Sequence, residues 1–252
     1  MPHLSADFRH CLRCQCTVGK VVHSSPDSTV DPVLRTDNFQ AGGTVTFAVG
    51  NLVPAIANPL TSPIHDPTGM GRWSGLTIRG RGNALVLSVI MVYRVCRGSV
   101  SATPIGSSFN RVYSYLREQG TSTPNPRTHV ITSLTTLVTE PQSKNHAILI
   151  MIDANATLDS DPVFLEMCTA CTLHDLHSHD PAPSTYIGAD NRRIDYMLGC
   201  PRVSESVRRS GSLSYYDGPQ SDHRGLFVDI DFQSPLGYSV TPSQFPSPAL
   251  RL

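Results

Sequence analysis

Glutamate is missing from the first 117 residues of this 252-residue chain, and the first to appear is Glu118. Lysine is nearly absent too: Lys20 and Lys144 stand against eighteen arginines. Charged residues make up 16% of the chain, too few for a highly charged disordered polymer, while 39% hydrophobic residues can fill a sizeable core. Long apolar runs are also lacking. The longest, Ala84 to Tyr93, has ten residues and includes Ser88, whereas a bilayer span needs roughly 20. Met1 to Lys20 holds no apolar stretch resembling a secretory leader. These absences predict a soluble, intracellular protein with no membrane partner.

Cysteine is present in a number and spacing that argue against a disulfide framework. Seven are spread as Cys11, Cys14, Cys16, Cys96, Cys168, Cys171 and Cys200, an odd count suited to a reducing compartment. Cys11-x-x-Cys14 has no second ligand pair at zinc-finger spacing. Cys168, Cys171, His174 and His177 would nearly align on one helix, but Thr169 to Leu173 reads as a helix end running into a strand. Packing cysteines and surface histidines are the expectation there.

Net charge is zero but unevenly placed. Pro67 to Arg117 contains Arg72, Arg79, Arg81, Arg94, Arg97, Arg111 and Arg117 and no acid. Ile150 to Asp195 contains eight acids against Arg192 and Arg193. Such segregation suits a site that clamps phosphate with one half and a cation with the other. Solvated faces of unrelated elements would show the same composition.

Leu4, Phe8, Cys11 and Leu12 fall at helical spacing within Leu4 to Val18, and a Ser/Pro/Asp-rich loop follows. Thr44 to Val49 alternates as a strand, and the proline-rich Pro54 to Gly71 reads as a surface connection. A hairpin is predicted from Ser74 to Arg79, the turn Gly80-Arg81-Gly82-Asn83 and Ala84 to Tyr93. Helices are predicted from Ser107 or Ser108 to Glu118, from Arg127 to Glu140 and from Asp161-Pro162 to Cys171. Strands are predicted at His146 to Ile152, Thr172 to Leu176, Arg193 to Leu198 and Gly225 to Asp231. The pattern divides the chain into an N-terminal helix and loop (1–38), one α/β domain (39–232) and a Pro/Ser-rich, loosely attached tail (233–252).

Three short segments carry the chemistry: Asp153-Ala154-Asn155, Arg193-Ile194-Asp195-Tyr196 and Ser221-Asp222-His223. Asp153 and Asn155, two apart, project to one side if the extended backbone continues past the strand. Asp195 lies inside a strand whose apolar face is Ile194, Tyr196 and Leu198, a place where aspartate is disfavoured. It needs a partner there. Arg192 or Arg193 could serve, or His223, whose tautomer the carboxylate would fix.

Ile152-Asp153-Ala154-Asn155 resembles the Gly-Asp-x-Asn motif of the endonuclease/exonuclease/phosphatase superfamily. Arg193-Ile194-Asp195-Tyr196 resembles its Arg-Ile-Asp-Tyr strand, and Ser221-Asp222-His223 its Ser-Asp-His terminus. Thr185-Tyr186 matches the Thr-Tyr or Thr-Trp that precedes that strand, and Val92-Tyr93 matches a phosphate-contacting tyrosine. The similarity runs from about Gly42 to Asp231 and is closest in flavour to retroelement-type endonuclease domains. It implies a four-layer α/β sandwich of two facing mixed β-sheets flanked by helices.

The resemblance further implies that Asp153 activates water or protonates the leaving oxygen, and that Asn155, Tyr93 and His223 hold the phosphate. Asp195 would orient His223, and Asp222 would help place Mg²⁺ or Mn²⁺. The partner implied is nucleic acid, DNA ahead of RNA. Convergence of all six side chains on one cleft, with Asp195 hydrogen-bonded to His223, is therefore expected. Several departures accompany the match. The family's first strand carries an Asn and its second ends in the main metal-binding Glu. Here no Glu precedes Glu118, and Asn38, Asn51 and Asn58 lie in other contexts. Ile152 stands at the usual Gly position, and Arg94 follows Tyr93. The expectation is an N-terminally incomplete, Mg²⁺-dependent phosphodiesterase or endonuclease-like domain, impaired by loss of that Glu. The alternatives are a non-catalytic phosphate or nucleic-acid binding module, and a gene remnant that does not fold stably.

Overall fold

The computed structural model describes residues 44, 46, 48, 50–57, 64–82, 84–98, 107–178, 184–188, 192–215 and 221–237. The helix and loop predicted before residue 39, Cys11, Cys14 and Cys16, and the tail beyond residue 237 lie outside them, as do parts of the segment Thr44 to Val49. Within that segment Thr44, Thr46 and Ala48 are buried, and the Thr46 hydroxyl bonds the Ser74 carbonyl at 3.3 Å.

Strands β1 (Ile64–His65), β2 (Trp73–Arg79), β3 (Val86–Tyr93), β4 (Ala147–Asp153), β5 (His174–Asp175) and β6 (Asp195–Gly199) form a six-stranded sheet in the order β1-β2-β3-β4-β6-β5. β3 and β4 are parallel and the other pairs antiparallel, so the sheet is mixed. A parallel pair needs a long crossover. It is supplied by α1 (Ser108–Glu118) and α2 (Pro126–Ser143). A second sheet holds two antiparallel strands, β7 (Val207–Ser212) and β8 (Leu226–Ile230), among the described residues.

Local chemistry sets the helix starts. Ser107 caps α1 by accepting from the Asn110 N–H at 3.2 Å. Asn125 caps α2 by accepting from the Thr128 N–H at 3.1 Å, with Pro126 at the first helical position. The Pro124-Asn125-Pro126 cluster between the two helices thus starts the second of them. Asp161 does the same for α3 (Pro162–Ala170), accepting from the Phe164 N–H at 3.1 Å.

Alternation decides which side chains meet the site. Ile148, Ile150 and Ile152 of β4 and Leu198 of β6 are buried, and the Tyr196 ring meets Phe164 of α3 edge-on at 5.6 Å. That face of the sheet carries α2, through Val130, Ile131, Leu134 and Val138, and α3. The opposite face meets the second sheet through Leu226, Val228 and Ile230. The layers are therefore helices, a mixed sheet and a facing sheet, the α/β sandwich expected, with the second sheet reduced to an antiparallel pair among the described residues.

Several predicted elements differ. The strand at Thr172 to Leu176 shrinks to two residues because Thr172 takes a left-handed φ of 49°. The connection Pro54 to Gly71 contains β1 and a turn that buries Asp66. α4 (Pro201–Ser206) and β7 were not anticipated; β7 reads Val-Arg-Arg-Ser-Gly-Ser and pairs with β8 through a bulge at Val207/Arg209. The start of the tail forms the short helix α5 (Gln233–Leu236), and Leu236 is buried in the core. Domain packing therefore continues through Leu236. Cys168 and Cys171 are buried as packing residues, but His177 is buried too rather than on the surface, with Nε2 at 3.1 Å from the Gly211 carbonyl.

Candidate active site

Register brings the site together. Tyr93 at the end of β3 pairs with Asp153 at the end of β4, and Asp153 pairs with Asp195 at the start of β6. Directly paired residues share a face, so the three side chains form one row on the side of the second sheet.

His223 reaches that row from the loop before β8. Thr185, fully buried, receives the Ile194 and Asp195 N–H groups on its hydroxyl at 3.0 Å each, and its carbonyl accepts from Arg224 N–H at 2.7 Å. Tyr186 bridges His223 through the backbone, with the two rings 5.2 Å apart. The Thr185-Tyr186 pair thereby fastens the His223 loop to the start of β6. The hydrogen bond expected between Asp195 and His223 is present, Oδ2 to Nδ1 at 2.9 Å. Arg193 instead pairs with Asp175 at 2.8 Å.

Electrostatics follow from this packing. Burial and then the neighbouring Asp195 charge push the Asp153 carboxyl up to about 6, against the opposing pull of His223, the Asn155 N–H and Arg127. The hydrogen bond that His223 donates to Asp195 raises the imidazole pKa above its ordinary value despite burial, with the charges of Asp195, Asp153 and Asp222 adding to it. Burial, reinforced by Cys96, raises the Tyr93 phenol and keeps it a neutral donor.

Asn155 and Asp222 sit differently from the sequence expectation. The extended backbone does not persist past Asp153: Asn155 takes a φ of 48°, a left-handed conformation that asparagine tolerates. Its N–H turns back to the Asp153 carboxylate at 3.0 Å. Its side chain donates to the Arg94 carbonyl at 2.7 Å and accepts from the Cys96 thiol at 3.3 Å. That thiol lies 3.6 Å from the Tyr93 hydroxyl, so Cys96 joins the two residues expected to hold phosphate. Asp222 is exposed, and its backbone carbonyl accepts from Ile187 at 3.0 Å. Among the described residues, the group able to share a metal is Asp153, Asp195 and His223, with ligand atoms within 4.8 Å of one another. The geometry leaves Asp222 outside that group.

Two arginines counted toward a phosphate clamp are spent inside the fold. Arg72 is buried against Asp66 in a two-pronged ion pair of 2.7 and 2.8 Å. Arg94 is buried against Asp161 at 2.7 Å. Arg127 joins Asp161 at 3.5 Å and donates to the Val95 and Asn155 carbonyls at 2.8 and 3.2 Å. This network ties together the segments after β3 and β4, which carry Cys96 and Asn155. The Asp161 cap is legible in the sequence but its ion pairs to Arg94 and Arg127 are not, because partners more than thirty residues apart leave no local signal.

The residues present fit a divalent cation sparingly. Asp153 and Asp195 face each other, and the Asp195 charge disfavours ionisation of Asp153, which a cation would relieve. One Asp195 oxygen is already engaged by His223. Mg²⁺ is commonly held by one or two carboxylates plus waters and substrate oxygens, so the set is sufficient but thin.

Linkage gives a pH signature. Asp153 and His223 both bind their protons more tightly folded than unfolded. The Asp153 contribution to stability is complete below about pH 4 and lost as pH rises through about 6. The His223 contribution is present below about pH 6.5 and lost above its raised pKa. Asp66 and Asp161, both held below the ordinary value, act oppositely and lose their stabilisation in acid. Thermal melts in metal-free buffer should therefore show Tm falling between about pH 5 and 8, with Asp153→Asn flattening the lower part of that fall. A wild-type Tm that rises steadily across this range would refute the assignment.

No family model and no curated protein matches the chain. Solved structures do resemble it. NExo from Neisseria, described as a 3′ phosphatase bound to a product DNA hairpin, is 19% identical, with 66% of each chain covered and a TM-score of 0.43. The endonuclease domain of TRAS1, a telomere-specific non-LTR retrotransposon, is 15% identical over 77% of this chain and 78% of its own, with a TM-score of 0.44. An AP endonuclease from Archaeoglobus fulgidus is 14% identical, with 70% of each chain covered and a TM-score of 0.44. The chain spans about two thirds of the length of the first of these. These are likenesses of fold alone.

Proposed function

We propose that this domain is a divalent-cation-assisted phosphodiesterase acting on nucleic acid, DNA ahead of RNA. The observation that carries the reading is the meeting of Asp153, Asp195 and an oriented His223 within 4.8 Å. Asp153, which burial and the Asp195 charge raise to about 6 in the cation-free site, is the group that takes a proton from the attacking water or gives one to the leaving oxygen. Asp195 holds His223 through Nδ1 and supports its positive charge, which leaves Nε2 to meet a phosphate oxygen. Tyr93 stays protonated and donates to phosphate, and Cys96 and Asn155 hold its hydroxyl end in place. A bound divalent cation would neutralise phosphate charge and stabilise the leaving alkoxide, and Asp153 with the second oxygen of Asp195 would hold it. Asp222 contributes its charge from outside this group.

The thin carboxylate set favours a second reading, in which the cleft binds nucleic acid and turns over slowly. Both readings require phosphate neutralisation by the arginines that remain at the surface, Arg97 next to Cys96 above all. Titrating labelled DNA and RNA at several salt concentrations tests this. Affinity should fall linearly on a log–log plot, and Arg97→Ala should reduce the slope by roughly 1. Affinity indifferent to salt would rule out phosphate neutralisation as its source.

A further inference from the structure

A second row of side chains crosses the same three strands just inward of Tyr93, Asp153 and Asp195. Met91 is paired with Met151 across β3 and β4, and Met151 with Met197 across β4 and β6. Lying two residues from the polar row, the methionines share its face. They floor a cleft of about 400 Å³ whose other side includes Leu213, Tyr215, Arg224 and Leu226. Facing sheets ordinarily interdigitate into a dry core. Here Met91 and Met151 remain only half-buried, and among the described residues a space of small-molecule size is left.

The lining has a definite character. Methionine is adaptable and makes favourable contacts with aromatic rings. The Arg224 guanidinium stacks on Tyr215 at 4.5 Å, and its Nε is buried without a hydrogen-bond partner. The mouth is the carboxylate and imidazole group of Asp153, Asp195 and His223. An apolar floor, an aromatic wall, a cation and a phosphate-directed rim together suit a planar, apolar body joined to a phosphate.

We propose that this cleft is a nucleoside subsite, taking the base and sugar attached to the phosphate at the Asp153–Asp195–His223 rim, with the base on the methionine floor. The proposal rests on the phosphodiesterase reading and narrows its substrate to a nucleotide taken out of its stack. Extrusion is least costly for unpaired or damaged positions. Single-stranded or mismatched nucleic acid is therefore preferred over paired duplex, and a base-bearing position over an abasic one.

Methionine oxidation reads the cleft without requiring turnover. The full chain is pulsed with hydrogen peroxide alone, with dAMP, and with deoxyribose 5-phosphate, and each methionine is followed by mass spectrometry. Met70, half-buried and outside the cleft, is the internal reference. With dAMP at about ten times its Kd, oxidation of the half-buried Met91 and Met151 should slow about tenfold relative to Met70. Deoxyribose 5-phosphate should leave them as in the free chain. Leu213 is 40% exposed, so Leu213→Gln should fold normally and weaken dAMP without weakening deoxyribose 5-phosphate. Equal protection by both compounds overturns the subsite and leaves the phosphodiesterase reading standing. Met91 and Met151 already slower than Met70 in the free chain overturn it as well, showing a cleft covered by the protein itself. Binding of neither compound removes both the subsite and the reading it rests on.

Discussion

Asp153→Asn should lower Mg²⁺-dependent nicking of supercoiled plasmid, or cleavage of an abasic-site duplex, by about 10²–10⁴-fold. The substitution keeps the size and the acceptor for the Asn155 N–H but removes the proton-exchanging carboxyl and half of the facing acid pair. His223→Ala should cost a similar factor. Asp195→Asn separates orientation from chemistry: without the Asp195 carboxylate the imidazole pKa falls, and the limb of the pH–rate profile that reports it moves to lower pH. The wild-type rate itself should be slow, because two carboxylates, one shared with His223, place the cation loosely. Full activity in Asp153→Asn would remove this carboxylate from the mechanism, and a brisk wild-type rate would show that the carboxylate set is not limiting.

Asp161→Ala should be the most destabilising single change, by about 3–5 kcal/mol in denaturant unfolding. Its carboxylate is the partner of Arg94, whose side chain is 2% exposed, and also of Arg127. Burial works against the Asp161 charge, yet the hydrogen bond and charge of Arg94, the Phe164 N–H and Arg127 together hold its pKa below the ordinary value. Truncation leaves two guanidinium groups packed without their counter-charge and removes the α3 cap as well. The exposed Arg209–Asp229 pair is the control, since Asp229→Ala should cost about 0–1 kcal/mol. Comparable losses at the two sites would mean that the buried network contributes no more than a surface pair. The loss at Asp161 should reach the site too, because the same network holds the carbonyls of Val95 and Asn155.

Short-range physics made much of the fold legible before any coordinates. The Ala147–Asp153 run is apolar on both faces because it is covered by helices on one side and a sheet on the other. Ser107, Asn125 and Asp161 each cap a helix through their own side chain, a decision made within three residues. β7 escaped notice because Val-Arg-Arg-Ser-Gly-Ser has little strand character of its own and forms by pairing with β8. The seven-arginine segment reads as one basic patch, yet Arg72 and Arg94 are interior residues matched by Asp66 and Asp161. Their partners are apparent only after folding.

Legible in the chain alone is the chemistry at the strand ends: Asp153, Asp195 and His223 in order, each next to an apolar run that would carry it to a shared edge. Alternation also required Asp195 to stand apart from Ile194, Tyr196 and Leu198. The tertiary structure decided which of these residues meet. Register across β3, β4 and β6 set the Tyr93–Asp153–Asp195 row and the methionine row behind it, and the Thr185 clamp chose His223 over the neighbouring arginines as the partner of Asp195. The left-handed turn at Asn155 and the exposure of Asp222 moved two expected site residues away from the metal-capable group. Strand alternation is local and survives in the sequence. Register and loop closure depend on contacts between distant segments, and a single sequence does not encode those in any readable period.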